Sequence, residues 1–332
     1  MKNIVVIGGG TGTFTVLSGL KKFEDLNLTA IVSGADSGGS TGRLRDEFGY
    51  LPMGDFRMAL VALADTNGDS DILRELFLYR FEKGSGLRGH NFGNLFLTAL
   101  TDILDSEDKA FEYASKTLRI KGKVLPITKE PVTLIAEYED GKIIIGETHI
   151  DEPPPKHDGK QRIVNLSVQP KHNISELAKE AILSADLIIM GPGDLYTSTI
   201  VNLVVPGVKQ VIKESSAQFV YAVNLINKYG QTYGMKASEH VDELKKYLGL
   251  YPDHVLVNRA ELPEDILIKY EEEYGYPVED DLKSNGNYKV TKRKLLAGET
   301  IKRQSGDVVK RSLIRHDSDK LADVILKLIN SD

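Results

Sequence analysis

Cysteine and tryptophan are both absent from this 332-residue chain. Without a thiol there is no disulfide, no thiolate zinc site and no cysteine nucleophile. The 7 histidines are scattered, with no His-x-x-x-His pair, so a histidine metal cluster is not expected. Positive charge is not in excess. The 42 Lys and Arg residues are outnumbered by 48 Asp and Glu, and the net charge of −6 argues against a broad nucleic-acid-binding face. Long apolar runs are missing too. The opening MKNIVVIGGG reads as a buried strand, too short for a signal peptide or a membrane span. The expectation is a cytoplasmic, soluble protein with no membrane partner. A hydrophobic content of 41% beside 27% charged residues fits a globular chain with a real core. The length suits about two average domains or one large α/β domain.

What is present is glycine, placed at the ends of apolar runs. Gly8-Gly9-Gly10-Thr11-Gly12-Thr13 follows Ile4-Val5-Val6-Ile7 and leads into a helical pattern at 14–22. Asp36-Ser37-Gly38-Gly39-Ser40-Thr41-Gly42-Arg43 follows the apolar run 28–32. A third stretch, Gly191-Pro192-Gly193-Asp194-Leu195-Tyr196-Thr197-Ser198, ends the run 185–190, a strand of the kind buried on both faces. Glycine admits positive φ and lets a ligand approach the main chain. A helix start just beyond supplies free N–H groups and partial positive charge, which suits a phosphate.

Between these loops the pattern alternates. Helices are predicted at 56–64, 72–81, 91–104, 109–118, 175–184, 238–248 and 320–329, with Asp55 and Ser238 as N-caps. Residues 261–274 are helix-compatible, strands fall at 219–223 and 254–257, and 280–305 is polar and yields no assignment. Such alternation favours a parallel, doubly wound sheet. The middle differs. Strands at 124–127, 132–137, 142–147 and 162–168, an Asp140-Gly141 turn and the surface loop Asp151-Glu152-Pro153-Pro154-Pro155 read as an inserted antiparallel subregion. The expected organisation is one domain over 1–332 with a β-rich flap at about 122–170.

In an open α/β sheet, ligands bind outside the carboxyl ends of the strands, where the strand order reverses. All three glycine loops fall at such ends. The first lacks the dinucleotide spacing, since Thr13 stands where glycine or alanine belongs, and no Gly-Lys-Ser/Thr makes it a P-loop. A tight strand-to-helix turn is the plain alternative. In the second loop, Asp36 suits a divalent cation or a sugar hydroxyl. Ser37, Ser40 and Thr41 can donate to phosphate, and Arg43 offers a bidentate fork. Gly86-Leu87-Arg88-Gly89-His90-Asn91-Phe92-Gly93-Asn94 precedes the apolar run 95–100 and has donors for an anion or sugar, or is simply a polar helix start. Spacing alone defines no Ser–His–Asp set and no paired catalytic carboxylates.

Taken in order, GGGTGT, ADSGGSTGRLRDE, MGDFRMALVALA, LRGHNFGNLFLTAL, ADLIIMGPGDLYTSTIVNLVVPG and LIRHDS resemble the YvcK family of gluconeogenesis factors. That family is similar to the CofD transferases, which join phospholactate to a deazaflavin. The resemblance covers essentially the whole chain. It implies an α/β, Rossmann-like, doubly wound and mostly parallel sheet that binds UDP-N-acetylglucosamine across the strand ends. By the same resemblance, Gly9, Gly10, Thr11 and Gly12 would wrap the diphosphate. Asp36, Ser37, Gly39, Ser40 and Arg43 would belong to the ligand loop. His90, Asn91 and Asn94 match the family's glycine-histidine-asparagine segment, Gly191, Gly193, Tyr196 and Ser198 its GPGSLYTS loop, and Asn224 a strand-end asparagine. Tyr270 and Arg315 resemble the pair that recognises the nucleotide sugar.

Two positions depart from the pattern. Asp36-Ser37 replaces paired aspartates that, in the transferases, lie where metal and diphosphate meet, so metal-dependent transfer is weakened. Asp194 replaces the serine of the GPGS loop and either repels a phosphate or implies a cation. The function implied is a cytoplasmic UDP-N-acetylglucosamine-binding regulator of gluconeogenic carbon metabolism, cell-wall synthesis and cell shape, with binding rather than turnover as its output. The alternative is a CofD-like 2-phospho-L-lactate transferase acting on a guanosine diphosphate donor and a deazaflavin. There Asp36 would hold a metal such as magnesium, and His90 or Asn91 would orient the acceptor. A homodimer is implied by the resemblance alone, and the regulatory protein partner is not identified.

Overall fold

The structure, a computed structural model, describes residues 1–65, 70–298 and 313–329. Each apolar run that stops at glycine becomes a strand feeding a helix. β1 (Lys2–Ile7) leads to α1 (Gly10–Leu20), and β2 (Leu26–Val32) to α2 (Gly39–Phe48). Then come α3 (Met53–Leu63), α4 (Ser70–Leu78), α5 (Phe92–Leu104), α6 (Glu107–Thr117) and β3 (Lys123–Pro126). The insert contains β4 (Thr133–Tyr138), β5 (Ile143–Ile145), α7 (Glu147–Asp151) and β6 (Ile163–Gln169). After α8 (Glu176–Leu183) and β7 (Leu187–Met190), a π-helical turn at Leu195–Ile200 precedes α9 (Val201–Leu203), α10 (Val208–Glu214) and β8 (Gln218–Ala222). The chain ends with β9 (Ile226–Asn227), α11 (Ala237–Leu248), β10 (His254–Asn258), α12 (Glu264–Glu271), β11 (Tyr276–Pro277), β12 (Lys289–Arg293) and α13 (Ser318–Ile329).

Seven strands form one sheet in the order β12-β10-β8-β7-β1-β2-β3, and every neighbouring pair is parallel. The chain runs outward from β1 to β3, then returns to lay β7 on the other side of β1. The reversal therefore lies between β1 and β7, paired from Ile4↔Leu187 to Ile7↔Met190. Helices depart to opposite faces there, which opens a crevice at the carboxyl ends. Alternate residues feed two cores: Ile4 and Val6 pack with α1, α3 and α13, while Val5 and Ile7 pack toward the insert and α10. Burial on both faces explains why β1 and β7 are continuous apolar runs, and each such side chain removed from water stabilises the fold by about 1.5–3 kcal/mol. The small antiparallel sheet has the order β5-β4-β6, as the sequence pattern anticipates.

Several local expectations are corrected. The strand expected at 124–127 within the antiparallel subregion is β3, the parallel edge of the main sheet. The strand expected at 142–147 ends at Ile145, and Glu147 begins α7. The unassigned polar stretch holds β12, an edge strand paired on one side only and partly exposed along its length, so it has no apolar signature. Residues 299–305 of that stretch lie outside the described residues. Asp55 is not an N-cap: α3 starts at Met53, and its carboxylate reaches across to another loop. Ser238 likewise lies inside α11, capped at Lys236 with Glu239, and donates to Asp281 at 2.7 Å. No helix among the described residues is long and apolar enough to cross a membrane.

Candidate functional site

A cleft of about 780 Å³ opens at the reversal point. The three glycine loops meet in it: Gly9, Gly10, Thr11 and Gly12 from the first, Asp36, Gly39 and Ser40 from the second, Gly193 and Ser198 from the third. Asn94, Asn224, Tyr270 and Arg315 line it as well. Residues more than 300 positions apart in sequence, such as Gly9 and Arg315, thus line one cleft.

The loops are locked to one another by polar contacts. Asn224 Nδ2 donates to the Gly193 carbonyl at 2.6 Å, tying the third loop to the end of β8. The backbone of Leu313 donates to the Tyr270 hydroxyl at 2.7 Å, which brings α12 against the segment carrying Arg315. The second loop is held by a relay. Buried Arg57 donates from Nε to Asn94 Oδ1 at 2.8 Å, and Asn94 Nδ2 donates to Thr41 Oγ1 at 3.1 Å. Thr41 in turn bonds the Asp36 side chain.

Other expected site residues act behind the cleft wall. Ser37 does not line it; its hydroxyl accepts the Thr148 N–H at 3.1 Å and fastens the second loop to α7. Arg43 is exposed on α2 and donates to the Arg88 carbonyl at 3.4 Å. His90 Nδ1 lies 3.2 Å from Ser40 Oγ, and burial followed by the Arg43 charge lowers its pKa. Asn91 caps α5 by accepting the Asn94 N–H at 3.2 Å, and donates to the Tyr79 carbonyl at 2.9 Å. Gly191 has φ +71° and backs onto β8, where a Cβ would meet the Ala222 carbonyl oxygen at 2.5 Å. Tyr196 is 2% exposed and belongs to the core. The glycine-histidine-asparagine segment therefore buttresses the second loop, with only Asn94 reaching the cleft.

Sequence reasoning missed a set of carboxylates. Asp55, Glu147 and Asp151 line the cleft beside Asp36 and Asp194. Asp55 Oδ1 accepts the Gly10 N–H at 2.8 Å, so one donor at the start of α1 is satisfied by the protein itself. Burial, then the Asp36 charge, pushes the Asp55 carboxyl up to about 7. Burial also raises Asp36, and Glu147 is raised by burial and by the charges of Asp36, Asp151 and Asp55. The pairing of Asp36 with Asp55 joins the second loop to the first turn of α3, so no spacing rule finds it. Among the described residues, no group of three or more His, Asp or Glu side chains is arranged to hold a metal ion.

At Asp194 the protein supplies a cation of its own. Lys228 Nζ lies 2.9 Å from Asp194 Oδ2 and also bonds Asp151 Oδ1. Burial opposes charge on all three groups. The Lys228 ammonium nevertheless holds Asp194 below its ordinary value, and the two carboxylates keep the proton on Lys228. Burial still leaves Asp151 at about 6. Replacing Asp194 with serine removes one of the two carboxylates engaging Lys228. Asp194→Ser is expected to tighten binding of a diphosphate about tenfold, or about 1.5 kcal/mol for one charged hydrogen bond. Titration with uridine diphosphate at low and high salt checks this; equal affinity in variant and native protein refutes it.

Comparison with known proteins agrees with this architecture. The family model described as "2-phospho-L-lactate transferase CofD" matches residues 4–296. The chain is 43% identical to the "Putative gluconeogenesis factor" of Aquifex aeolicus, covering 99% of this chain and 97% of that one. It is 39% identical to the "Gluconeogenesis factor" of Bacillus subtilis, with 98% of each chain covered. A crystal structure of a UPF0052-family protein from Bacillus halodurans superposes with a TM-score of 0.86 at 36% identity, covering 98% of this chain and 100% of that one. The fold is thus shared over nearly the whole chain, and the chain belongs to the CofD family, among the proteins named gluconeogenesis factors.

Proposed function

We propose that this protein binds a nucleotide sugar, UDP-N-acetylglucosamine, in the cleft between β1 and β7 and acts as a regulator of gluconeogenic carbon metabolism, cell-wall synthesis and cell shape. The observation that carries the reading is the convergence of three glycine loops with Tyr270 and Arg315 in one cleft. The diphosphate lies on the first loop, where the Thr11 and Gly12 backbone opens α1. The nucleoside lies toward Tyr270 and Arg315. Among the described residues no three His, Asp or Glu side chains are arranged to hold a metal ion, so Asp36 would be the protein's own contribution to a magnesium ion bound with the diphosphate, whose charge that ion would offset. A homodimer and a regulatory protein partner complete the proposal.

Isothermal titration with UDP-N-acetylglucosamine, with and without magnesium, tests the reading; absence of binding at millimolar ligand removes it. Arg315→Ala is expected to weaken binding by about 1.5–3 kcal/mol, the value of a charged hydrogen bond. Unchanged affinity would place Arg315 outside the nucleotide contacts.

One observation favours a second reading. Asp55 stands beside Asp36, so the fold restores a pair of carboxylates that Ser37 denies the second loop. Such a pair suits transfer of a phospholactyl group from a guanosine diphosphate donor to a deazaflavin. Incubation with both substrates discriminates: release of the guanosine monophosphate with formation of the transferred product supports an enzyme, and its absence supports the binder.

A further inference from the structure

The hairpin of α4 and α5, outside the cleft, leaves an apolar face in water. Ile72, Leu76 and Tyr79 fall at i, i+4 and i+7, and they are 58%, 37% and 51% exposed. That spacing gathers them on one side of α4 and just past its end, while Phe77 turns inward and is buried. On α5 the same spacing recurs at Phe92, Phe96, Ala99 and Ile103. It runs from half-buried phenylalanines to an isoleucine that is 76% exposed. Leu97, Thr98 and Thr101 take the opposite side of α5 into the core.

The two stripes lie side by side. The Phe92 N–H donates to the Tyr79 carbonyl at 2.9 Å where the helices meet. Further from that joint on each helix, Phe77 packs on Phe96 at 5.2 Å between centroids, so α4 and α5 run antiparallel. A single exposed leucine needs no explanation, but large apolar side chains gathered on one face mark a contact surface. Another exposed apolar pair, Ile143 and Ile145, lies on β5. That strand has only three residues, too few for a standard interface of about 800 Å² per partner.

The charges around the face select what covers it. The open end of the hairpin, where α4 begins and α5 ends, exposes Asp71, Glu75, Asp102 and Asp105. The joined end exposes Lys83 and Arg88 in the loop between the helices. Glu82 of that loop is already engaged, and Arg74 of α4 turns over the Phe14 ring at 5.9 Å. A face acidic at one end and basic at the other is complementary to itself turned end for end. Two copies related by a twofold axis lay each acidic end on the other's basic loop. A partner of one charge sign would meet repulsion at one of the two ends.

We propose that the α4–α5 face is a homodimer interface, an isologous contact in which two hairpins pack end for end and bury both apolar stripes. The inference rests on the homodimer of the reading above and supplies its surface. Association is measured without nucleotide, so it and the nucleotide-sugar reading fail separately.

Sedimentation equilibrium of the full chain tests the interface. The native chain is expected to be a dimer at micromolar concentration. Leu76→Arg carries a charge into the contact from both copies and weakens the dimer about a hundredfold. Ile103→Lys sets a positive charge against the second copy's basic loop and also weakens it, whereas Ile143→Asp on β5 leaves it unchanged. Lys83→Glu weakens the dimer about tenfold, and adding Asp71→Lys restores it, because the reversed ends again oppose each other. If Leu76→Arg melts far below the native chain, Ile103→Lys at its exposed position carries the comparison. A native chain that stays monomeric overturns the proposal. So does a dimer that survives either substitution in a folded chain, one that Ile143→Asp dissociates, or one that Asp71→Lys fails to restore.

Discussion

Asp55→Asn is expected to make the protein more stable at pH 8 than the native chain, with the advantage fading to nothing near pH 4. In the fold, Asp55 titrates at about 7, because burial and the Asp36 charge both disfavour its ionised form. In the unfolded chain an aspartate titrates near 3.9. The folded state therefore holds more protons than the unfolded state between these values, and stability falls as pH rises. The contribution is fully present below about pH 4 and is lost through about pH 7. A difference of about three pKa units corresponds to about 4 kcal/mol. Asp55 keeps partial solvent exposure, and screening reduces the expected gain to about 2–3 kcal/mol. Asparagine retains an oxygen for the Gly10 N–H, so the hydrogen bond of 2.8 Å survives. Urea denaturation of both proteins at pH 4.5 and pH 8 measures the effect; parallel stability curves would show that Asp55 carries no strain of charge.

Gly12→Ala is expected to act in the opposite direction. Within a helix, alanine is favoured over glycine by about 1 kcal/mol. Here that gain is overwhelmed, because a Cβ on residue 12 would lie 1.4 Å from the Pro192 carbonyl oxygen and 2.4 Å from its carbon. Both obstacles are backbone, so no side chain can rotate aside. The third loop must move away from α1, separating the two walls of the cleft at the strand reversal. Overpacking of this kind costs up to about 3 kcal/mol or more, and nucleotide binding should fall with it. Thermal melting and titration with UDP-N-acetylglucosamine check both parts. A variant that melts like the native chain and binds normally would mean that the loops are not pressed together here. The expectation also separates two uses of glycine in the first loop. Gly12 is required by packing between loops, whereas Gly10 has φ +60° and only Ser198 Oγ near a would-be Cβ, at 3.9 Å.

Local chemistry decided much of the architecture. Ile4 to Ile7 and Leu187 to Met190 are apolar at every position because both faces of a central parallel strand are buried, and a run of that kind ending in glycine is visible without any partner. The antiparallel insert was legible for a related reason, since alternation and the Asp140-Gly141 turn are properties of adjacent residues. The order of the three loops, their place at strand ends and the family to which they belong followed from the same runs.

Tertiary structure alone decided which side chains face the cleft. Ser37, Asn91 and Tyr196 have the polar chemistry of ligand contacts, yet they are spent on fastening α7, capping α5 and filling the core. Asp55, Glu147, Asp151 and Lys228 came from positions that read as a helix cap, a strand end, a surface loop and an unremarked lysine, and they converge on the site. β12 was illegible because an edge strand with one neighbour has no need of an apolar run. Secondary structure follows contacts between residues close in sequence, so its pattern is written locally. The charge of the cleft depends on contacts between residues tens to hundreds of positions apart, such as Asp194 with Lys228 and Asp55 with Gly10, and these exist only once the sheet has reversed and brought its loops together.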